Sequence, residues 1–325
     1  MSVFLERLLN FGNAMPGVVS IGLIWGIMAI GLYITYRILE LSDLTVDGSF
    51  CTGGAVCIMM VAAGQPAWLA MVCAFAAGMI AGAVTGLLHT VCKIPAILAG
   101  ILTQLALWTV NMFVMGLQEG KLISTLTIPA RNSTLAVSAM YLSKALNGSK
   151  PFFFYPPLFL GLLTIAVIAL LYWFFGTERG ASLRATGANE NMARAQGINT
   201  NANKIIGLML ANGLVALSGS LFAQYNGNAE INMGRGAIVI GLAAIIIGDV
   251  LFSKLFKNFA LKLTAVSIGA IIYYVVIQAV LTLLKVDSQY LKLMSAAIVA
   301  VFLTIPNLKR VHHHKNKKEV PECSR

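Results

Sequence analysis

Charged residues are scarce in this chain, and so are the motifs that would give it chemistry of its own. Only 11% of its 325 residues are charged and 58% are hydrophobic, whereas about 25% of the residues in soluble domains are charged. The mean hydropathy is +0.82. This composition excludes a soluble globular protein and indicates an integral membrane protein.

Nucleotide-binding, metal-binding and catalytic motifs are also missing from the sequence. No segment fits Gly-x-x-x-x-Gly-Lys-Ser/Thr, the loop that cradles nucleotide phosphates. The five cysteines form no Cys-x-x-Cys pair, and no His, Asp, Glu or Ser cluster suggests a reaction. We therefore expect no catalytic residue, no metal site and no directly bound cofactor. If ATP drives this protein, another chain hydrolyses it.

Long apolar runs occupy most of the sequence. A run of about twenty residues crosses the roughly 30 Å hydrocarbon core as a helix. The runs are Gly17–Leu39, Leu44–Ala63, Ala67–Val91, Ile94–Gly116, Phe154–Phe175, Ile205–Tyr225, Ala237–Phe252, Leu261–Leu284 and Leu291–Ile305. The short Val3–Phe11 segment reads as an interfacial helix. The sequence predicts an all-α polytopic protein of roughly 8–10 transmembrane or re-entrant helices, with one membrane domain over residues 1–306.

Basic residues set the expected orientation. Of the 23 Lys and Arg residues, 13 lie in the 176–204 loop, the 254–262 loop and the tail from Asn307. Short basic loops stay in the cytosol, so we expect the 176–204 loop and a disordered 307–325 tail to be cytoplasmic. Concentration of the charge on one membrane face argues against nucleic acid as a partner. Nine full spans would place the N-terminus outside, and one re-entrant span would place it inside.

Two glycine-rich, polar segments look unusual for simple spans. They are Asp43–Ala55 and Asn232–Ala237, the latter leading into Ile245–Asp249. Matched interruptions in the two halves of a transporter point to the substrate path, although the glycines would also serve ordinary helix packing. The expected path residues are Asp47, Gly48, Gly53, Gly54, Gln104, Asn111, Asn212 and Gln278. Ionisable residues are nearly absent from the spans, which weighs against an ion-coupled secondary transporter.

The 176–204 loop is a polar island between two spans. It carries four basic and two acidic residues, and its Asn189–Gln196 core has the composition of a short surface helix suited to docking. The spacing Gly-x-Asn-Glu-x-x-Ala-x-x-x-Gly-Ile, which starts at Gly187, resembles the coupling segment of the branched-chain amino acid and ribose type permeases of bacterial ABC importers. The segments Gly213–Ser220 and Gly241–Gly248 continue the resemblance over most of the chain.

This resemblance implies a type II-like permease in the bacterial cytoplasmic membrane, working with ATPase subunits, an extracytoplasmic binding protein and a second permease copy. The coupling residues would be Gly187, Asn189, Glu190, Ala193 and Gly197. The segment Leu41–Phe50 lacks the patterns of ribose-type and nucleoside-type members and looks like permeases that accompany tryptophan/tyrosine-type binding proteins. An amino acid, possibly aromatic, is the implied cargo, with a sugar or nucleoside as the alternative.

Overall fold

The computed structural model describes residues 2–118, 121–122, 124–127, 155–252 and 258–284, together with positions 296, 300 and 304. Ten α-helices lie in these ranges: α1 Ser2–Tyr33, α2 Val46–Ala62, α3 Ala67–Thr90, α4 Ala96–Met115, α5 Tyr155–Gly176, α6 Glu178–Ala188, α7 Glu190–Ala195, α8 Thr200–Asn226, α9 Ala237–Phe252 and α10 Phe259–Leu284. A π-helical turn, Ile34–Ile38, extends α1. The predicted span Leu291–Ile305 falls outside the described residues except at positions 296, 300 and 304, and the 307–325 tail falls outside them entirely.

Four short strands lie between the helices. They are β1 Leu117–Gln118, β2 Lys121–Leu122, β3 Thr125–Thr127 and β4 Asn228–Glu230. β1 pairs with β2, and β3 pairs antiparallel with β4. The second pairing joins the segment after α4 to the segment after α8, so the same ends of these two helices lie together.

Among the described residues, six helices are long and apolar enough to cross a membrane, which confirms the all-α polytopic fold. They comprise Leu9–Ile38, Ala67–Thr90, Ala96–Met115, Pro156–Gly176, Thr200–Asn226 and Phe259–Thr282. The helices α2 and α9 are apolar but shorter, at 17 and 16 residues. At 1.5 Å per residue each is about 25 Å long, which is less than the hydrocarbon thickness.

The longest interface in the core joins α3 to α8 by direct backbone approach. A Cβ atom on Gly78 would collide with the carbonyl oxygen of Asn212, and one on Gly82 with that of Leu208. The four-residue glycine spacing on α3 therefore serves helix packing, as such spacing does in membranes. Its partner helix belongs to the same chain.

Contacts with α8 fix the relative directions of α1 and α2. Gly17 in α1 lies beside Tyr225 near the end of α8, whereas Gly31 lies beside Ala211, so the two helices are antiparallel. The start of α1 therefore lies at the opposite end of the molecule from the 176–204 loop, as nine full spans would require. The helix α2 runs parallel to α8, because Ser49 contacts Asn212 while Cys57 contacts Gln224 farther along.

Three local features differ from the sequence-based expectations. Val3–Phe11 is continuous with α1, which passes through Pro16 without ending. In the 176–204 loop, residues 178–188 form the additional helix α6, because Thr177 caps its first turn. The glycine-rich parts of α2 and α9 are regular helix, and the breaks precede them, at residues 39–45 and 227–236.

Candidate functional site

The two segments singled out from the sequence meet at the starts of α2 and α9. The Asp47 carboxylate, in the first turn of α2, accepts hydrogen bonds from the backbone N–H groups of Gly236 at 3.1 Å and Ile238 at 3.2 Å. These bonds satisfy N–H groups that have no partner within α9. Gly234 lies so close to the Asp47 carbonyl that a Cβ atom there would collide with it. Asp47 thus acts as the N-terminal cap of a helix almost two hundred residues away.

A cavity of about 260 Å³ opens beside this junction. Its walls are Asp47, Gly48, Cys51, Gln104, Leu105, Trp108, Asn111, Ile231 and Arg235. Asn111 is only 1% exposed. Its amide nitrogen donates a long 3.4 Å hydrogen bond to the Gly48 carbonyl, and its Oδ1 has no partner among the described residues. The cavity therefore combines an acid, a base and a buried acceptor with spare hydrogen-bonding capacity.

A second polar cluster, centred on Asp43, lies between α2, α3 and α8. Asn212 Nδ2 donates to Asp43 Oδ2 at 2.7 Å, and the Ser49 hydroxyl donates to Asn212 Oδ1 at 2.7 Å. The Thr45 N–H donates to Asp43 Oδ1 at 2.9 Å, and the Thr45 and Thr85 hydroxyls share a 2.7 Å bond. These bonds hold the start of α2 against α8.

The Asp43 cluster places a buried carboxylate in the break just before α2, outside the spans in which ionisable residues were expected to be nearly absent. Asp43 is 4% exposed and Asn212 is 0% exposed. Sequence reasoning missed the pair because 169 residues separate the two side chains. The signal that was present is the Asp43-x-Thr45 spacing, since an Asp side chain commonly accepts a hydrogen bond from the N–H two residues on.

Half of the predicted path residues line the cavity, and half do not. Asp47, Gly48, Gln104 and Asn111 are in its walls. Gly53 packs against the Ala216 backbone of α8, and Gly54 against the side chain of Met233. Asn212 belongs to the Asp43 cluster. Gln278 lies half-buried on α10 and is not one of the cavity residues.

The 176–204 loop folds into α6 and α7, and the predicted surface helix at Asn189–Gln196 corresponds to α7. The Asn189 side chain caps α7 by accepting from the Met192 N–H at 3.0 Å. Gly197 ends this turn with a φ of +79°, in the left-handed region that favours glycine. Gly187 lies against the Ile38 backbone, where a Cβ atom would collide with the carbonyl oxygen. These residues define the shape and seat of the segment.

Glu190 fastens α7 to the start of α8. Its carboxylate forms salt bridges with Lys204 at 2.8 Å and Arg194 at 2.7 Å, and it accepts a 3.3 Å bond from the Thr200 hydroxyl. The hydrogen bond from Lys204, with the charges of Lys204 and Arg194, lowers the pKa of Glu190 below its usual value. A displacement of α7 would therefore pull directly on α8.

The exposed surface of α7 differs from the expected one. Ala193 is 1% exposed because its side chain faces the protein interior, so its small size serves internal packing and offers no outward contact. Met192 is 59% exposed, and Asn191, Ala195 and Gln196 are exposed around it. The exposed methionine, which sequence reasoning did not single out, is the apolar group that α7 presents to the surroundings.

Several known proteins that are similar to this chain are named as transport permeases. A tyrosine transport system permease protein of Clostridioides difficile (strain R20291) is 35% identical over 314 residues, covering 95% of this chain and 98% of the relative. An uncharacterized protein of Rickettsia prowazekii (strain Madrid E) is 32% identical over 284 residues, or 87% and 93% of the two chains. An autoinducer 2 import system permease protein of Escherichia coli O9:H4 (strain HS) is 29% identical over 199 residues, or 59% and 51%.

No solved structure matches the chain. The sequence model of one protein family, described as the permease component of the branched-chain amino acid transport system, matches residues 15–303. This range includes the cavity, the Asp43 cluster and the whole 176–204 loop. The chain belongs to this family of branched-chain amino acid type transport permeases.

Proposed function

We propose that this protein is the membrane-spanning permease of an ATP-driven importer that carries an amino acid. Two copies would form the membrane part, separate cytosolic ABC ATPases would hydrolyse ATP, and an extracytoplasmic binding protein would deliver the solute. The permease binds no cofactor itself in this proposal. The amino acid cargo is supported by the tyrosine transport permease that covers nearly the whole chain.

One continuous series of contacts carries the proposal. Glu190 joins α7 to Lys204 of α8, Asn212 of α8 binds Asp43 and Ser49 at the start of α2, and Asp47 of α2 caps α9. A push on α7 is thereby transmitted through a single long helix to the walls of the cavity. In this proposal the 176–204 loop and the C-terminal tail are cytoplasmic, and the cavity lies on the translocation path.

The transport cycle then needs two packings of the same helices. ATP-driven closure of the ATPases would move α7, and α8 would shift the start of α2 relative to α9. Because the cavity is bounded by these two helix starts and by α4, a small displacement would change its access. ATP and the loaded binding protein act by favouring one packing over the other.

The test is uptake by the complete transporter. The permease is expressed together with a cognate ABC ATPase and a cognate binding protein, and uptake of labelled L-tyrosine into reconstituted vesicles is measured. We expect uptake that requires both partners and is abolished by a Walker A lysine substitution in the ATPase. Transport by the permease alone, driven by a proton or sodium gradient, would contradict the proposal. Uptake of a sugar or nucleoside in place of the amino acid would reject the cargo and keep the ATP-driven mechanism.

The orientation has its own test. A single cysteine at Asn191, in a background without the native cysteines, should react with a membrane-impermeant reagent only from the cytosolic side. Labelling solely from the outside would place α7 away from the ATPases and contradict the coupling role.

A further inference from the structure

The cavity beside the α2 and α9 starts contains two opposite charges that do not pair with each other. Asp47 and Arg235 both line it. The described residues contain three salt bridges, and Arg235 takes part in none of them. The two Asp47 oxygens accept hydrogen bonds from backbone N–H groups at the start of α9, among them those of Gly236 and Ile238, and a carboxylate can accept about four hydrogen bonds. Both charged groups therefore keep capacity for a ligand.

Asn111 adds an observation that does not depend on the charges. It is 1% exposed and lines the cavity, yet its Oδ1 has no hydrogen-bond partner among the residues whose placement is described. A buried acceptor without a partner is costly, and the great majority of buried polar groups are satisfied. An N–H donor inside the cavity would remove this cost.

The remaining walls are apolar and partly aromatic. Leu105, Trp108 and Ile231 face the same space, and Trp108 offers a flat ring against which another ring can stack. The cavity volume of about 260 Å³ is just below the range of roughly 300–1,000 Å³ typical of ligand pockets. It suits a compact solute with one polar end and one apolar end.

We infer that this cavity is a binding site for a zwitterionic α-amino acid with an apolar or aromatic side chain. The Arg235 guanidinium binds the carboxylate, for which its planar donor fork is suited. Asn111 Oδ1 and the Asp47 carboxylate accept from the ammonium group, and the side chain lies against Trp108 and Leu105. This inference rests on the proposed transport function and specifies the solute that the path recognises.

Other small solutes match the walls less well. A neutral sugar would hydrogen-bond to both groups through its hydroxyls, but it would bring no counter-charge to either of them. A simple anion or cation would pair with one charge and leave the other without a counter-charge. Only a solute that carries both signs, close together, complements Arg235 and Asp47 at once while remaining neutral overall.

The experiment removes each charged group of the ligand, and then each cavity side chain that is proposed to bind it. Binding of three probes to the purified full-length permease in lipid nanodiscs is measured by calorimetry: L-tyrosine, tyramine, which lacks the carboxylate, and 3-(4-hydroxyphenyl)propanoic acid, which lacks the amine. Charged hydrogen bonds contribute about 1.5–3 kcal/mol, so we expect each truncated probe to bind roughly ten- to a hundredfold more weakly than L-tyrosine.

The variants give the sharper result because each should affect only one end of the ligand. Arg235→Gln should weaken L-tyrosine about tenfold or more and leave tyramine unchanged. Asn111→Leu should weaken L-tyrosine and tyramine and leave the propanoic acid unchanged. Arg179→Gln, at an exposed position on α6 away from the cavity, is the matched control and should change nothing. Asn111→Ser replaces Asn111→Leu if the latter fails to elute as folded protein.

Equal effects of a variant on all three probes, or no effect on any, would overturn the assignment of the two ligand ends. Absence of L-tyrosine binding by the permease, together with ATP-dependent L-tyrosine uptake by the complete transporter, would overturn the site while the proposed function stands. If the transporter instead imports a neutral sugar and the permease binds none of the three probes, both the proposed site and the proposed amino acid cargo are wrong.

Discussion

Two buried asparagines on neighbouring parts of the molecule have opposite hydrogen-bonding states. Asn212 donates to Asp43 and Leu208 and accepts from Ser49, so its amide has partners for both its nitrogen and its oxygen. Asn111 donates a long hydrogen bond to the Gly48 carbonyl, and its oxygen has no partner among the described residues. The first arrangement fixes one packing of α2 on α8. The second leaves a hydrogen-bond acceptor in the cavity wall that a ligand can use.

The difference shows which polar groups hold the fold and which can serve a ligand. A satisfied polar network in a low-dielectric interior is rigid and costly to break. A buried polar group without a hydrogen-bond partner lowers the stability of the fold, and natural proteins retain such groups mainly at functional sites. Burial alone does not separate the two cases, since both asparagines are hidden from solvent.

The largest loss of stability is expected from adding a methyl group at Gly53, on the side of α2 that packs against α8. Its Cβ atom would collide with the Ala216 backbone of α8, which cannot move away cheaply. Overpacking of this kind costs about 1–3 kcal/mol or more, so Gly53→Ala should lower the thermal midpoint of the detergent-purified protein by several degrees. Loss of transport should follow from the loss of folded protein.

The neighbouring Gly54→Ala is the matched comparison. Its Cβ atom would meet the terminal methyl of Met233, the far end of a flexible side chain, so its effect should be much smaller. Gly161→Ala on α5, where the nearest atom is 4.0 Å away, should be neutral. Gly22 on α1 is unsuitable as a control because its Cβ would lie 2.7 Å from the Ile271 Cα. Equal stability of the Gly53 and Gly54 variants would contradict this account.

The asparagine comparison is tested directly by Asn212→Leu and Asn111→Leu. The first removes the partner of Asp43 Oδ2 and of the Ser49 hydroxyl, while Asp43 Oδ1 keeps its bond from the Thr45 N–H, and this should cost about 2 kcal/mol. The second removes a long hydrogen bond and an unpartnered oxygen, so the change in stability should stay within about 1 kcal/mol. Thermal unfolding in the same detergent measures both. A larger loss for Asn111→Leu would show that Asn111, and not Asn212, holds the helices together.

A third pair of substitutions, Met192→Asp and Ala193→Arg, distinguishes the side chain of α7 that would bind the ATPase from the one that packs inside the permease. Met192→Asp changes an exposed side chain, so the permease should fold normally while its partner ATPase binds more weakly. Burying a Met side chain contributes about 1.5–3 kcal/mol, which predicts roughly a ten- to hundredfold loss of affinity. Pull-down of the ATPase by the permease at several concentrations measures this loss.

Ala193→Arg is expected to behave differently, because its side chain must enter the packed underside of α7. It should expose the 176–204 loop to trypsin in the isolated permease, whereas Met192→Asp should leave the digestion pattern as in the wild type. Wild-type ATPase binding by Met192→Asp would mean that the docking surface does not include this methionine.

The sequence alone reached the general architecture and part of the site. Hydrophobic runs long enough to span a membrane predicted eight of the described helices, since length and composition determine such helices. The polar, glycine-rich character of the Asp43–Ala55 segment pointed to a cavity, and Asp47 and Gly48 line one, although their place on a translocation path stays a prediction. The sequence could not predict the hydrogen bond between Asn212 and Asp43, because the two residues are far apart in the chain. It also could not predict that Ala193 is buried, because tertiary contacts decide which face of the six-residue helix α7 packs inward.

The smallest expected effect concerns the pH response of the Glu190 contacts at the start of α8. Because Lys204 and Arg194 lower the pKa of Glu190 from its ordinary value of 4.5, these contacts contribute stability that is fully present above that value and is lost as the pH falls through the lower folded-state pKa. Exposed ion pairs contribute at most about 1 kcal/mol, so the change is small.

We expect the thermal midpoint difference between the wild type and Glu190→Gln to be positive at neutral pH and to shrink to zero in acid. A difference that grows on acidification would mean that the Lys204 bridge does not stabilise the joint between α7 and α8, and would remove the first link in the proposed path from the ATPase to the cavity.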